Sequence, residues 1–142
     1  MTHLVFFGLL SYVLDIRVSL IGFIFSALPD IDNPGSIIGQ MFPRLSNYLM
    51  ENFGHRGLLH SIWPLAFLGA LTLLNLNFFE LLIAYASHIF LDSLNIFGVM
   101  IFYPINARFV LLDLKIKAGG FRELLLNLAL LVAGSAYACY LG

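Results

Sequence analysis

Charge is what this chain most lacks. Asp, Glu, Lys and Arg make up only 11% of its 142 residues, against about 25% in an ordinary soluble domain. Hydrophobic residues reach 61% and the mean hydropathy is +0.94. A globule this small cannot hide so much apolar surface from water. A disordered chain, a soluble secreted miniprotein and a nucleic-acid-coating protein are therefore excluded. Basic excess is missing too: the formal net charge is −1, which leaves no footprint for direct nucleic-acid binding. Cysteine is nearly absent. The single Cys139 permits neither an internal disulfide nor a cysteine zinc cluster, and it reads as a packing residue in an apolar run. No basic stretch precedes the first apolar block and no small-x-small cleavage pattern precedes Pro29, so that block is read as retained. What remains is an integral membrane protein of one domain, residues 1–142.

Four apolar blocks are present, at residues 4–28, 58–74, 78–102 and 124–141. The last three are each near the roughly 20 residues that cross a bilayer as a helix, the form that satisfies its own backbone in lipid. The expected fold is all-α: a multi-helix integral membrane bundle with an N-terminal helical hairpin, three longer membrane helices and a short surface β-like segment before the last helix. Asp15 and Arg17 break the first block. One long helix would hold both near mid-membrane at high cost. Two arms, 3–14 and 18–28, joined by a polar turn, avoid that cost. The β-like segment is residues 112–117, where apolar and charged residues alternate with the period of a strand. Pro64 has no N–H, which predicts a kink in the second block and a free carbonyl at His60.

Six of the seven Lys and Arg residues lie in the polar stretches 29–56 and 103–122. Both stretches flank the hairpin of the second and third blocks, so they share a side. The positive-inside rule assigns that side of a multi-pass membrane protein to the cytoplasm, with the turn at residues 75–77 outside. Arg44, Lys115 and Lys117 are read as headgroup contacts. Tyr12, Tyr48, Tyr85, Tyr103 and Trp63 are read as interface anchors or packing, and Glu80, Asp113 and Glu123 as surface charges.

The four histidines, His3, His55, His60 and His88, fall near one layer under this topology. His88 and Asp92 are four apart and share a helical face. Asp30 and Asp32 are two apart; in an extended segment they point the same way, and Pro34 argues for extended backbone there. His55 and His60, five apart, meet only if His55 precedes the helix, a boundary that Gly54 and Gly57 make natural. The hairpin reading brings His3 to the same side. Seven metal-competent groups then converge: His3, Asp30, Asp32, His55, His60, His88 and Asp92. Ionisable groups inside membrane segments are functional candidates by default.

At these residues the chain resembles the YdjM-like family of LexA-binding, inner-membrane-associated metal-dependent hydrolases. The resemblance rests on His3, Leu28-Pro29-Asp30-Ile31-Asp32-Asn33-Pro34, Gly54-His55-Arg56-Gly57-Leu58-Leu59-His60-Ser61 and Ser87-His88-Ile89-Phe90-Leu91-Asp92, in that order across almost the whole chain. Two positions depart from it: the family often has His where this chain has Asn33, and Thr where it has Leu59. The family is in turn distantly similar to zinc-dependent phospholipase C and related zinc nucleases, which implies phosphoester chemistry. Docking of a cytosolic regulator is implied by the resemblance alone.

Together these features predict a membrane-bound metal-dependent hydrolase acting on a phosphoester, with a lipid phosphoester suggested by the depth of the site. Mixed His and Asp ligands suit Zn²⁺ best, with Mn²⁺ or Fe²⁺ as alternatives. Asp30, Asp32 or Asp92 would bridge if two ions bind, and Asp30, Asp32 and Arg56 are the catalytic candidates, Arg56 because its planar fork suits phosphoryl oxygens. The competing reading is a non-catalytic membrane module: a metal- or proton-linked transporter, or a docking platform.

Overall fold

The computed structural model describes residues 2–14, 19–105, 107–111, 125 and 129. Among them are six α-helices: α1 (Thr2–Val13), α2 (Leu20–Ala27), α3 (Ile37–Met41), α4 (Pro43–Phe53), α5 (Ile62–Leu74) and α6 (Phe79–Ser93). Short 3-10 turns at Leu28–Asp32, Leu58–His60 and Leu76–Phe78 link them. The all-helical expectation holds for these residues, which form no strand; Val99 and Phe109 make an isolated antiparallel bridge. The expected β-like segment at 112–117, the turn at Asp15 and Arg17, and the apolar block 124–141 apart from residues 125 and 129 lie outside the described residues.

The first apolar block forms two helices. Ser19 caps α2 by accepting a hydrogen bond from the Gly22 N–H at 3.1 Å, and Phe7 of α1 meets Phe23 of α2 edge-on with centroids 5.5 Å apart. The other two apolar blocks form shorter helices than expected. α5 starts at Ile62 because Ser61 caps it, and it stops at Asn75, whose extended backbone breaks the run. α6 stops at Ser93; Asn95 and Gly98, the latter at φ +60°, then turn the chain back. α6, the longest, has 15 residues, about 22 Å at 1.5 Å per residue. No helix among the described residues is long and apolar enough to cross a membrane, which corrects the expectation of full-length spans at 58–74 and 78–102. Pro64 falls in the first turn of α5, where a missing N–H breaks no helical bond, so the expected mid-helix kink does not arise.

α6 is the central post, packed against α1, α2 and α5. Its apolar face joins Tyr85 and Ile89 to Leu68 of α5 and to Val99. Its other buried face is polar, carrying Ser87, His88, Asp92 and Ser93. The serines of that face need no distant partner: Ser87 and Ser93 donate to the Ala84 and Phe90 carbonyls of their own helix, and their small size lets neighbouring backbones approach. At the opposite end of the molecule Glu80, expected to be a surface charge, accepts from the Ser19 N–H at 2.6 Å and from its hydroxyl at 2.9 Å. A side chain at Gly22 would collide with that carboxylate. This tie fastens the start of α2 to the first turn of α6.

Candidate metal centre

Asp30 and Asp32 lie on the 3-10 turn that continues α2, not on an extended segment. Proline restricts only the residue before it, and that residue, Asn33, is extended at φ −114°. A 3-10 turn advances about 120° per residue, so the two carboxylates diverge. Asp30 faces His88, with Oδ1 3.7 Å from Nε2. Asp32 turns toward the loop after α4. There it accepts at Oδ1 from His55 Nδ1, 2.6 Å away, and at Oδ2 from the Arg56 N–H and from His60 Nδ1, each at 3.2 Å.

That loop is shaped by its glycines. Gly54 ends α4 at φ +71°, which suits glycine. A Cβ on Gly57 would overlap the Phe53 carbonyl oxygen. Between them Arg56 takes φ +63°, a left-handed conformation that costs an ordinary residue about 1–2 kcal/mol. The strain sets the guanidinium inside the protein. Its Nη2 donates to Asp92 Oδ1 at 2.8 Å, and its carbon lies 5.9 Å from the Phe97 ring centroid. Nε and Nη1 are buried with no hydrogen-bond partner.

The helices deliver the rest. His88 and Asp92 share one face of α6, with Nε2 and Oδ2 3.8 Å apart. His88 Nδ1 donates to the Ser26 carbonyl at 2.7 Å. That oxygen can only accept, so Nδ1 holds the proton and Nε2 presents its lone pair. His60 Nε2 approaches Asp92 Oδ2 at 3.2 Å. His3, delivered by α1, stacks on His88 with ring centroids 3.7 Å apart and lies 3.8 Å from Asp92 Oδ1.

Asp30, His60, His88 and Asp92 each offer a ligand atom, all within 4.8 Å of one another. His3 is at the edge of this group. Asp32 stands behind His60, and His55 stands behind Asp32 with 31% of its side chain exposed. Asn33, where the family often has His, faces elsewhere: its Oδ1 accepts from the Gly35 N–H at 3.0 Å. Leu59 contributes only its carbonyl, which accepts from the Tyr85 hydroxyl at 2.7 Å. Neither the Ser26 carbonyl nor Phe97 belongs to a recognisable metal-ligand pattern, so neither could be picked out before the fold was known.

The donor set fits a divalent ion. His60 Nε2, His88 Nε2 and Asp92 Oδ2 are buried without hydrogen-bond partners. Such atoms are costly to leave unpaired, and here they converge. Neighbouring ligands about 2.0–2.2 Å from a tetrahedral ion stand about 3.3–3.6 Å apart, close to the 3.2–3.8 Å separations among these atoms. Asp32 on His60 and Ser26 on His88 are the outer partners that orient ligating imidazoles.

Electrostatics agree. Burial penalises the Asp32 carboxylate, but hydrogen bonds from His55 and His60 outweigh it and lower its pKa. Burial likewise pulls His60 down, yet the Asp32 hydrogen bond and the nearby Asp92 carboxylate raise it to about 9. Burial, helped by His88, holds His3 well below the ordinary imidazole value. Without metal, a proton on His60 offsets the two carboxylates; an ion would take its place.

A profile of the family described as YdjM inner membrane protein matches residues 2–141. The chain is 35% identical over 120 residues to Uncharacterized protein YvsG of Bacillus subtilis (strain 168), covering 82% of this chain and 74% of that one. It is 34% identical over 116 residues to Inner membrane protein YdjM of Escherichia coli (strain K12), covering 74% of this chain. That alignment spans 58% of the E. coli protein's length. No solved structure matches.

Proposed function

The chain belongs to the YdjM inner membrane protein family, and on that premise we propose that it is an inner-membrane, metal-dependent hydrolase of a phosphoester. The observation that carries this reading is the convergence of partnerless buried donors from His60, His88 and Asp92 beside Asp30. The chemistry a bound divalent ion supplies is Lewis acidity toward a phosphoryl oxygen and a more acidic water. Zinc suits the set best, with manganese or iron as alternatives.

The chain's own groups divide the remaining work. Arg56 holds Asp92 through Nη2 and offers Nε and Nη1 to phosphoryl oxygens, to which a guanidinium fork is matched. Asp30, half-buried and bordering a cavity, takes the proton that water gives up as its oxygen bonds to phosphorus. The ester P–O bond breaks, and that proton passes to the leaving oxygen. Asp32 keeps His60 oriented and stays outside the reacting set.

The same reading sets the metal group toward the cytoplasm, because six of seven basic residues lie in 29–56 and 103–122. The α5–α6 hairpin enters the bilayer turn first and reaches the far side as part of a multi-pass chain. At 13 and 15 residues α5 and α6 are too short for a full-thickness bilayer, so this topology requires the bilayer to thin around them.

The test uses detergent-purified full-length protein, with metal content, thermal stability and turnover of a phosphomonoester and phosphodiester panel as readouts. The expected result is a bound divalent metal that raises Tm, with turnover on at least one ester. His88→Ala should lose metal, the Tm increment and turnover together. Metal retained with no turnover on the panel would overturn the hydrolase reading in favour of transport or docking.

A further inference from the structure

Next to the metal group lies a cavity of about 240 Å³. One wall is His3 and Asp30, so the cavity reaches the ligand cluster directly. The rest of the lining is mostly apolar, with Leu4, Ala27, Ile37 and Ile38 beside Gly35 and Ser36. Among the described residues that line the cavity there is no Lys or Arg. The volume falls short of the roughly 300–1,000 Å³ that encloses a whole drug-sized ligand. It holds a phosphoryl group and the first few carbons, and the remainder must lie outside.

The structure offers a path for that remainder. Ile37 is 71% exposed although it lines the cavity, and Met41 and Phe42 at the end of α3 are 68% and 51% exposed. Ile37 and Met41, four apart on α3, share one face of that helix, so an exposed apolar strip leads away from the cavity's Ile37. Arg44 follows, exposed on the first turn of α4. A strip of exposed apolar side chains ending at a cation matches a bilayer interface, where acyl chains meet anionic headgroups.

We infer that this cavity is the substrate subsite and takes the ester end of a membrane lipid, whose chain leaves along α3 over Ile37, Met41 and Phe42. The inference rests on the hydrolase reading and adds a substrate class and an access route to it. A chain seated on the strip gains affinity with each methylene removed from water, and about two methylenes suffice for tenfold.

The experiment measures binding without turnover, so that it stands apart from the activity test. Zinc-loaded full-length protein in one detergent is titrated with methylphosphonate and with hexadecylphosphonate. The expected result is at least tenfold tighter binding of the long-chain compound. Ile37→Asp and Met41→Asp should each shrink that ratio severalfold while metal content and Tm stay at wild-type values. Equal affinity for the two phosphonates, or a ratio unmoved by both variants, overturns the lipid subsite, whatever the activity panel shows. Hexadecylphosphonate binding that survives in both variants alongside good turnover of water-soluble esters would leave the hydrolase intact and point to a soluble phosphoester instead. A chain-length preference lost in the variants sustains the subsite even where no ester on the panel is hydrolysed.

Discussion

His60 is the residue on which the centre turns. It sits between two carboxylates, 3.2 Å from Asp32 on one side and 3.2 Å from Asp92 on the other, and it has no access to water. Its pKa is raised from 6.5 to about 9, so the folded, metal-free protein binds one more proton than the unfolded chain between those values. Stability from that proton is present below pH 6.5 and lost as pH climbs through about 9. The Tm of metal-free protein should therefore fall from pH 6.5 to 9.5; a Tm that rises over that window would contradict the assignment. His3, whose pKa is lowered from 6.5, adds a loss only as pH drops below that value. Metal must displace the His60 proton, so metal affinity should climb with pH by about tenfold per unit until about pH 9. Asp32 makes a separate prediction. Asp32→Asn keeps the shape but cannot accept from His55, His60 and the Arg56 N–H together. Metal affinity should fall about 10–100-fold, measured by competition with a chelator, with about 1–3 kcal/mol of apo stability lost. At this scale the sequence announced the histidines and aspartates through their spacing. It could not announce which carboxylate faces the ligands, because that depends on a 3-10 turn that no hydrophobic period encodes.

One element places site residues and another only holds the fold, and each can be tested alone. The loop from Gly54 to Gly57 carries His55 and Arg56. Gly57→Ala would push a methyl into the Phe53 carbonyl and shift the loop. Metal affinity should drop at least tenfold and Tm should fall with it; a Gly57→Ala protein with native affinity would show that the loop's position is immaterial. The tie between Glu80 and Ser19 is at the other end of α6. Glu80→Ala should cost about 1–3 kcal/mol of stability and leave metal affinity unchanged, because distant sites add independently. The glycine boundary before His60 was readable from the sequence, as was the division of the first apolar block by its charged residues. The Glu80 tie was not, since nothing local distinguishes a buried carboxylate from an exposed one until α2 and α6 are packed. Helix ends were also hidden: apolar composition runs on past Ser93, while Asn95 and Gly98 stop the helix.

For the whole molecule, polarity is divided between two ends. The metal group gathers where α1 begins and α6 finishes. The opposite end, at the close of α5 and the turn after it, exposes Leu73 at 90%, Leu74 at 82% and Leu76 at 80%. Leucines so exposed suit lipid rather than water, which agrees with membership of an inner-membrane family. A cysteine placed at Asn75, in a chain whose Cys139 has been replaced, should label from outside intact cells. Labelling only after permeabilisation would reverse the orientation or confine the hairpin to one leaflet. Composition alone made the membrane association legible, but the lengths of the helices needed the packed structure. The divalent metal bound per chain reads the His60, His88 and Asp92 cluster most directly. Elemental analysis of the purified wild-type protein should find at least one zinc, manganese or iron per molecule, and His60→Ala, His88→Ala and Asp92→Ala should each lose it while still inserting into membranes. Wild-type protein that holds no divalent metal after loading, or three variants that all keep it, would contradict the account at its centre.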